Sequence, residues 1–118
     1  MRDIDQGALV LVNFNYSNQE HVKLRPALVV SNSSNNRISR DVVVMKITSK
    51  EPQHWGLSIT NNDLLTGSLA YDSYIRIDAI HSLEKSIIHA VIGTLNPKKM
   101  KAIKIQVSAL LSLDTPVP

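Results

Sequence analysis

Arg25, Thr48 and the lysines beside them are the residues of this chain best suited to hold a phosphate. Arg25 is the second residue of a run of strand formers over residues 24–31, and Thr48 closes another over residues 41–48. A loop joins the two runs, so an antiparallel hairpin is expected, with the start of the first run beside the end of the second. With Ser31 opposite Val42, Arg25 falls opposite Thr48. Directly opposed side chains have Cβ atoms about 4.5–5.5 Å apart. A loop of this length leaves the register open. Lys23, Ser49 and Lys50 lie on the flanking loop residues. Arginine contributes a bidentate fork that stays charged at every relevant pH. A hydroxyl and lysines complete the parts needed to grip a phosphate. The same pattern also fits a plain surface arginine and a routine strand-end hydroxyl.

Other chemistries find less support. The chain has no cysteine, which excludes disulfides, thiolate metal sites and cysteine nucleophiles. His21, His54, His81 and His89 show no metal-ligand spacing, and each reads as a surface or half-buried structural histidine. The four glycines are scattered singly, so no phosphate loop is present, and no serine sits in a nucleophile elbow. No cofactor or metal is expected.

The elements that must position Arg25 and Thr48 are mostly short strands. Strands are expected over residues 7–14, 24–31, 41–48, 57–59, 73–77 and 87–95. Pro26 belongs at a strand start or edge, because it cannot donate to a ladder. In residues 73–77, Tyr74 and Arg76 alternate with Ile75 and Ile77, which puts them on opposite faces. Residues 32–40, dense in Asn and Ser, read as a loop, and residues 61–65 as one helical turn ending before Gly67. The clearest helix begins at Asn96, a good cap, followed by Pro97 at the first helical position. Met100, Ile103, Val107, Leu110 and Leu111 form its apolar stripe. Lys98, Lys99, Lys101 and Lys104 lie mostly away from that stripe and read as a solvated face. The fold class is mainly β with a C-terminal helix, a small barrel or curled sheet.

The 118 residues suit one domain, residues 1–113, with residues 114–118 a frayed tail. At this size folding buries roughly two-thirds of the unfolded chain's surface, and 43% hydrophobic residues suffice to fill a core. No apolar run has the length of a secretory signal or of a membrane helix, so a cytoplasmic location away from membranes is expected. The net charge of +3 permits a polyanionic partner without demanding one. Aromatics are 4% of residues, poor for a protein that holds single strands mainly by stacking.

The motifs Gly7-Ala-Leu-Val-Leu-Val, Arg25-Pro-Ala-Leu-Val-Val-Ser and Val42-Val-Val-Met-Lys-Ile-Thr-Ser occur in the order of a known family. So do Gly67-Ser-Leu, Ser73-Tyr-Ile-Arg-Ile-Asp, Ser82-Leu-Glu-Lys and Ile92-Gly-Thr-Leu. The chain resembles the PemK/MazF toxins of toxin–antitoxin pairs from Gly7 to about Leu111. The resemblance implies an SH3-like barrel assembled as a homodimer. It implies a metal-independent, sequence-selective endoribonuclease acting on single-stranded RNA. In such an enzyme the 2′-hydroxyl attacks the adjacent phosphate, leaving a 2′,3′-cyclic phosphate and a 5′-hydroxyl. It assigns the catalytic arginine to Arg25 and the catalytic hydroxyl to Thr48. Lys23, Ser49, Lys50 and Ser73 would contact substrate. A cognate antitoxin, a disordered acidic segment that folds on contact, would occupy the same groove near the dimer interface.

Two departures from the family pattern stand out. Ala79 occupies a place often held by Gln, which removes a polar contact to RNA. Lys46 replaces a frequent proline before Ile47-Thr48-Ser49; it either adds charge near the site or points to solvent. Trp55, the only tryptophan, reads as a core or loop anchor or as an RNA- or antitoxin-contacting ring. Two rival functions remain: a non-enzymatic toxin of the same fold that binds DNA gyrase, and a degenerate member that only binds RNA or a partner.

Overall fold

The first three strands are buried on both faces, which accounts for their almost continuous apolar runs. The computed structural model describes residues 3–14 and 23–114. Among the described residues there are seven strands: β1 (Ala8–Asn13), β2 (Leu24–Val29), β3 (Asp41–Thr48), β4 (Gly56–Ile59), β5 (Leu64–Gly67), β6 (Ser73–Glu84) and β7 (Ile88–Leu95). Two helices join them, α1 (Ser33–Ile38) and α2 (Pro97–Leu110). All strand pairs are antiparallel, in the order β4-β6-β3-β2-β1-β7-β5. The sheet curls into a half-barrel carrying the C-terminal helix, the mainly-β architecture expected.

Alternation divides the core into two clusters. On one face Val10, Val12, Ala27, Val29, Val42 and Val44 pack with Leu83 and Ile88. On the other, Leu9, Leu28, Met45 and Ile47 pack with Ile59, Ile75, Ile77 and Leu95. Helix α2 joins the second cluster through buried Ile103, with Met100, Val107 and Leu110 against it. Asn96 caps that helix by accepting from the Lys99 backbone N–H at 2.8 Å, with Pro97 at its start. Leu111 departs from the expected stripe. It stands at the C-cap and is 65% exposed. Lys99 departs from the solvated lysine face, since its Nζ lies 3.7 Å from Asp63 Oδ2.

Residues 33–38 form α1 rather than part of a loop. Asn32 accepts from the Asn35 backbone N–H at 2.8 Å, which supplies the cap that a run of weak helix formers needs. Asn36 then holds the helix against the sheet. It is 1% exposed; its amide donates to the carbonyls of Ile4 at 2.9 Å and Ser31 at 3.0 Å, and it accepts from Ser31 Oγ at 2.6 Å. Lys85 Nζ donates to the Asn36 carbonyl at 2.6 Å, which ties α1 to the end of β6. β6 runs twelve residues where five are expected. Its pairing with β3 skips between Met45↔Ile80 and Ile47↔Ile75, and this bulge breaks the alternation that would mark residues 78–84 as strand. The helical turn after β4 covers only Asn61–Asp63, and residues 64–67 form β5. Ile87 ends a 3-10 turn rather than starting β7.

β5 and β7 meet where Gly67 faces Gly93. Gly67 has φ +80°, and a Cβ there would overlap the Ile92 carbonyl oxygen. A Cβ on Gly93 would come within 2.7 Å of the Thr66 carbonyl oxygen.

Truncating Asn36 strands two buried carbonyls and one hydroxyl. Asn36→Ala is expected to lower the unfolding free energy by about 2–3 kcal/mol, read from the urea midpoint at unchanged slope. A loss under about 0.5 kcal/mol, the range of ordinary surface substitutions, would show that α1 does not hold the sheet.

Candidate functional site

The β2–β3 register has the offset expected from the sequence. Val29 faces Val44, Leu28 faces Met45 and Ala27 faces Lys46. The paired positions end there; carried two residues further, the same register would set Arg25 opposite Thr48. Both share a face with Lys46 and the first cluster, at the end of the strands where apolar cover gives out. Arg25 is exposed and Thr48 half-buried. Thr48 Oγ1 accepts from the Lys50 backbone N–H at 3.2 Å, so its own proton is directed elsewhere. Exposed Lys23 precedes β2, and exposed Ser49 and Lys50 follow β3, so all three flank the pair. Ser73 is not brought there. It shares the parity of Ile75 and Ile77 on the opposite face, is buried, and donates its hydroxyl to the Tyr71 carbonyl at 2.9 Å.

Thr48 and Lys50 open onto a groove of about 410 Å³. His54 and Gln53 line it from the segment after β3, and Arg76 and Asp78 line it from β6. Thr48 pairs with Tyr74, which places Arg76 one alternation further on the same face. The Arg76 Nη2 lies 3.2 and 3.3 Å from the two Asp78 carboxylate oxygens. Its Nε is buried without a hydrogen-bond partner. Sequence alternation already put Arg76 and Tyr74 together. The pairing of β3 with β6, which carries Arg76 to Thr48, has no short-range signal. Trp55 is a loop anchor. It packs against the second cluster, its φ of 56° is left-handed, and its carbonyl accepts from the Ile77 N–H at 2.9 Å.

Lys46 points neither wholly to solvent nor directly at Thr48. Its Nζ sits 4.8 Å from the centroid of the Phe14 ring, which keeps its charge on the site's face through a cation–π contact. Phe14 also meets His81 at 5.8 Å in a tilted arrangement. Desolvation by burial, then the nearby Lys46 ammonium, hold the His81 pKa below 6.5. His21 lies outside the described residues. Among those described, no group of three or more His, Asp or Glu side chains is placed to hold a metal ion.

A curled antiparallel sheet carrying a C-terminal helix is the common ground with known proteins. The family model of PemK-like, MazF-like toxins of type II toxin–antitoxin systems matches residues 5–111. The chain belongs to this family. It is 30% identical over 94 residues to endoribonuclease MazF4 of Mycobacterium tuberculosis, covering 78% of this chain and 83% of that one. Endoribonuclease MazF1 of Mycobacterium bovis matches with the same figures. Among solved structures, a mycobacterial endoribonuclease in complex with its cognate antitoxin aligns with TM-score 0.74 and 26% identity, over 98% of this chain and 100% of that one. A MazE–MazF structure from Deinococcus radiodurans aligns with TM-score 0.76 over 96% of this chain and 100% of that one; at 20% identity it shows the fold alone.

Because the folded pKa of His81 lies below the unfolded value, protonation is penalised in the folded chain. Its contribution to stability is full above the unfolded pKa and is lost as the pH falls. Removing the Lys46 charge with Lys46→Met is expected to raise the His81 midpoint, followed by the imidazole proton NMR shift. A midpoint that stays put or falls would eliminate Lys46 as a cause.

Proposed function

We propose that this protein is an endoribonuclease toxin that cuts single-stranded RNA without a metal ion and is neutralised by a cognate antitoxin. The observation that supports the reading is the β2–β3 register, whose continuation past Ala27↔Lys46 brings exposed Arg25 toward half-buried Thr48. The mycobacterial relatives support the class of activity and the antitoxin.

The attacking group is the 2′-hydroxyl of the RNA, so the protein needs no nucleophile of its own. The 2′-oxygen bonds to the adjacent phosphorus and gives up its proton. The bond from phosphorus to the 5′-oxygen breaks, and that oxygen takes up a proton. A 2′,3′-cyclic phosphate and a 5′-hydroxyl result. The barrier lies in a crowded phosphorane bearing two negative charges, and preorganised donors lower it. Arg25 acts first as a charge-stabilising fork on the non-bridging oxygens, since a guanidinium of ordinary pKa is a poor base. Thr48 Oγ1, held by the Lys50 N–H, orients the phosphate with its free proton. Lys23, Ser49 and Lys50 steer and position the neighbouring backbone. The reading includes a homodimer, with the antitoxin on the same groove, and a cytoplasmic location where the RNA is. No helix among the described residues is long and apolar enough to cross a membrane.

The test is cleavage of a long unstructured RNA in EDTA by the wild type and Arg25→Ala. Discrete fragments with 5′-hydroxyl ends are expected from the wild type. Arg25→Ala is expected to lose at least about 100- to 1,000-fold in kcat/KM while keeping the wild-type melting curve. Intact RNA after treatment with folded wild type would overturn the reading. Specific capture of gyrase by that same inactive protein would replace it with the non-enzymatic one. Light scattering at the mass of one chain would remove the dimer.

A further inference from the structure

The groove beside Thr48 holds more than a phosphate site requires. Its charges cancel locally. Arg76 is paired with Asp78, and Lys50 stands near Glu51. A groove built only to attract backbone would keep its cations free. This one offers fixed hydrogen-bonding groups of both kinds, in a space within the about 300–1,000 Å³ range of small-molecule sites.

The pair is also incompletely satisfied. Arg76 Nη2 reaches both Asp78 oxygens, at 3.2 and 3.3 Å, so the guanidinium and the carboxylate fix one another's orientation. The Arg76 Nε is buried without a partner, and buried donors are normally paired. Both side chains remain partly open, at 43% and 36% exposure. Each Asp78 oxygen keeps lone pairs beyond those facing Arg76. Donors and acceptors are thus presented side by side, one alternation along the strand from the residue opposite Thr48.

Sequence-selective proteins read single strands on the exposed Watson–Crick edges of unstacked bases. Guanine alone presents two adjacent N–H donors, N1–H and N2–H, beside one acceptor, O6. A carboxylate accepts the two donors through its two oxygens, and an adjacent guanidinium donates to O6. Adenine, cytosine and uracil each lack the donor pair. We propose that Arg76 and Asp78 form a base-reading pair that selects guanine in the strand bound at this groove. The inference rests on the reading of the groove as an RNA site, and it deepens that reading by naming what the groove distinguishes.

The test uses single-stranded pyrimidine oligonucleotides in 2′-deoxy form with one central guanine, adenine or hypoxanthine. These cannot be cut by 2′-hydroxyl attack, so binding is measured independently of cleavage, by fluorescence anisotropy with the full-length protein. Guanine is expected to bind about ten-fold tighter than adenine. Hypoxanthine lacks the N2 amino group and is expected to fall between them. Asp78→Asn, nearly isosteric, is expected to bring the guanine-to-adenine ratio close to one. Arg76→Lys keeps the charge, loses the fork and is expected to reduce the ratio as well. Equal binding of guanine and adenine by the wild type would overturn the inference, as would a ratio that survives Asp78→Asn. Binding of none of the strands would overturn it together with the RNA-site reading. Guanine discrimination without cleavage of matching RNA would leave the inference standing and sink the nuclease alone.

Discussion

The antiparallel register of β2 on β3 is the constraint on which the rest depends. A slip of one residue would turn Arg25 and every side chain of β2 to the other face. Both faces of these strands are packed, so the slip is blocked twice, once by the cluster around Val29 and Val44 and once by that around Leu28 and Met45. The connection between the strands adds a third lock. Asn36 bonds to the carbonyl and hydroxyl of Ser31, and Ser31 Oγ accepts from the Val43 N–H at 2.9 Å across the hairpin. A polar cluster at one end of the hairpin therefore fixes the register that runs toward Arg25 and Thr48 at the other end.

Much of this was legible in the sequence, because it depends on local pattern. The apolar runs marked β1 to β3, and the Asn96-Pro97 start marked α2. The register followed from one assumed partner, Ser31 opposite Val42, and the observed pairs Ala27↔Lys46, Leu28↔Met45 and Val29↔Val44 have the same offset. The same patterning hid other parts. Helix α1 consists of Ser and Asn, whose weak propensity reads as loop, and its support comes from Ile4 and Lys85, far away in the chain. The second half of β6 was hidden by a bulge that interrupts alternation. Ser73 carries a suitable hydroxyl, yet strand parity turns it to the opposite face from Thr48.

The site itself was legible in part. Arg25, Thr48 and Lys50 follow from one hairpin. Arg76 and Asp78 reach the groove only through the pairing of β3 with β6, whose partners lie 26 to 43 residues apart. No short-range rule fixes such a contact, since its loop-closure cost is met by the whole folded sheet. Lys46 shows a similar limit. Its position announced a charge near the site, but the Phe14 ring that holds it became apparent only in three dimensions.

The Gly67–Gly93 contact bears on how freely such a chain can drift in sequence. Most neighbouring core positions can exchange volume, one side chain shrinking as another grows. Here each added Cβ would strike the opposite strand's backbone rather than a side chain. Neither glycine can therefore be compensated by changing the other, and a substitution at either must move a strand. The half-barrel's last seam is held by two independent vetoes on side chains, and a lineage that lost one would have to rebuild β5 before the sheet could close again.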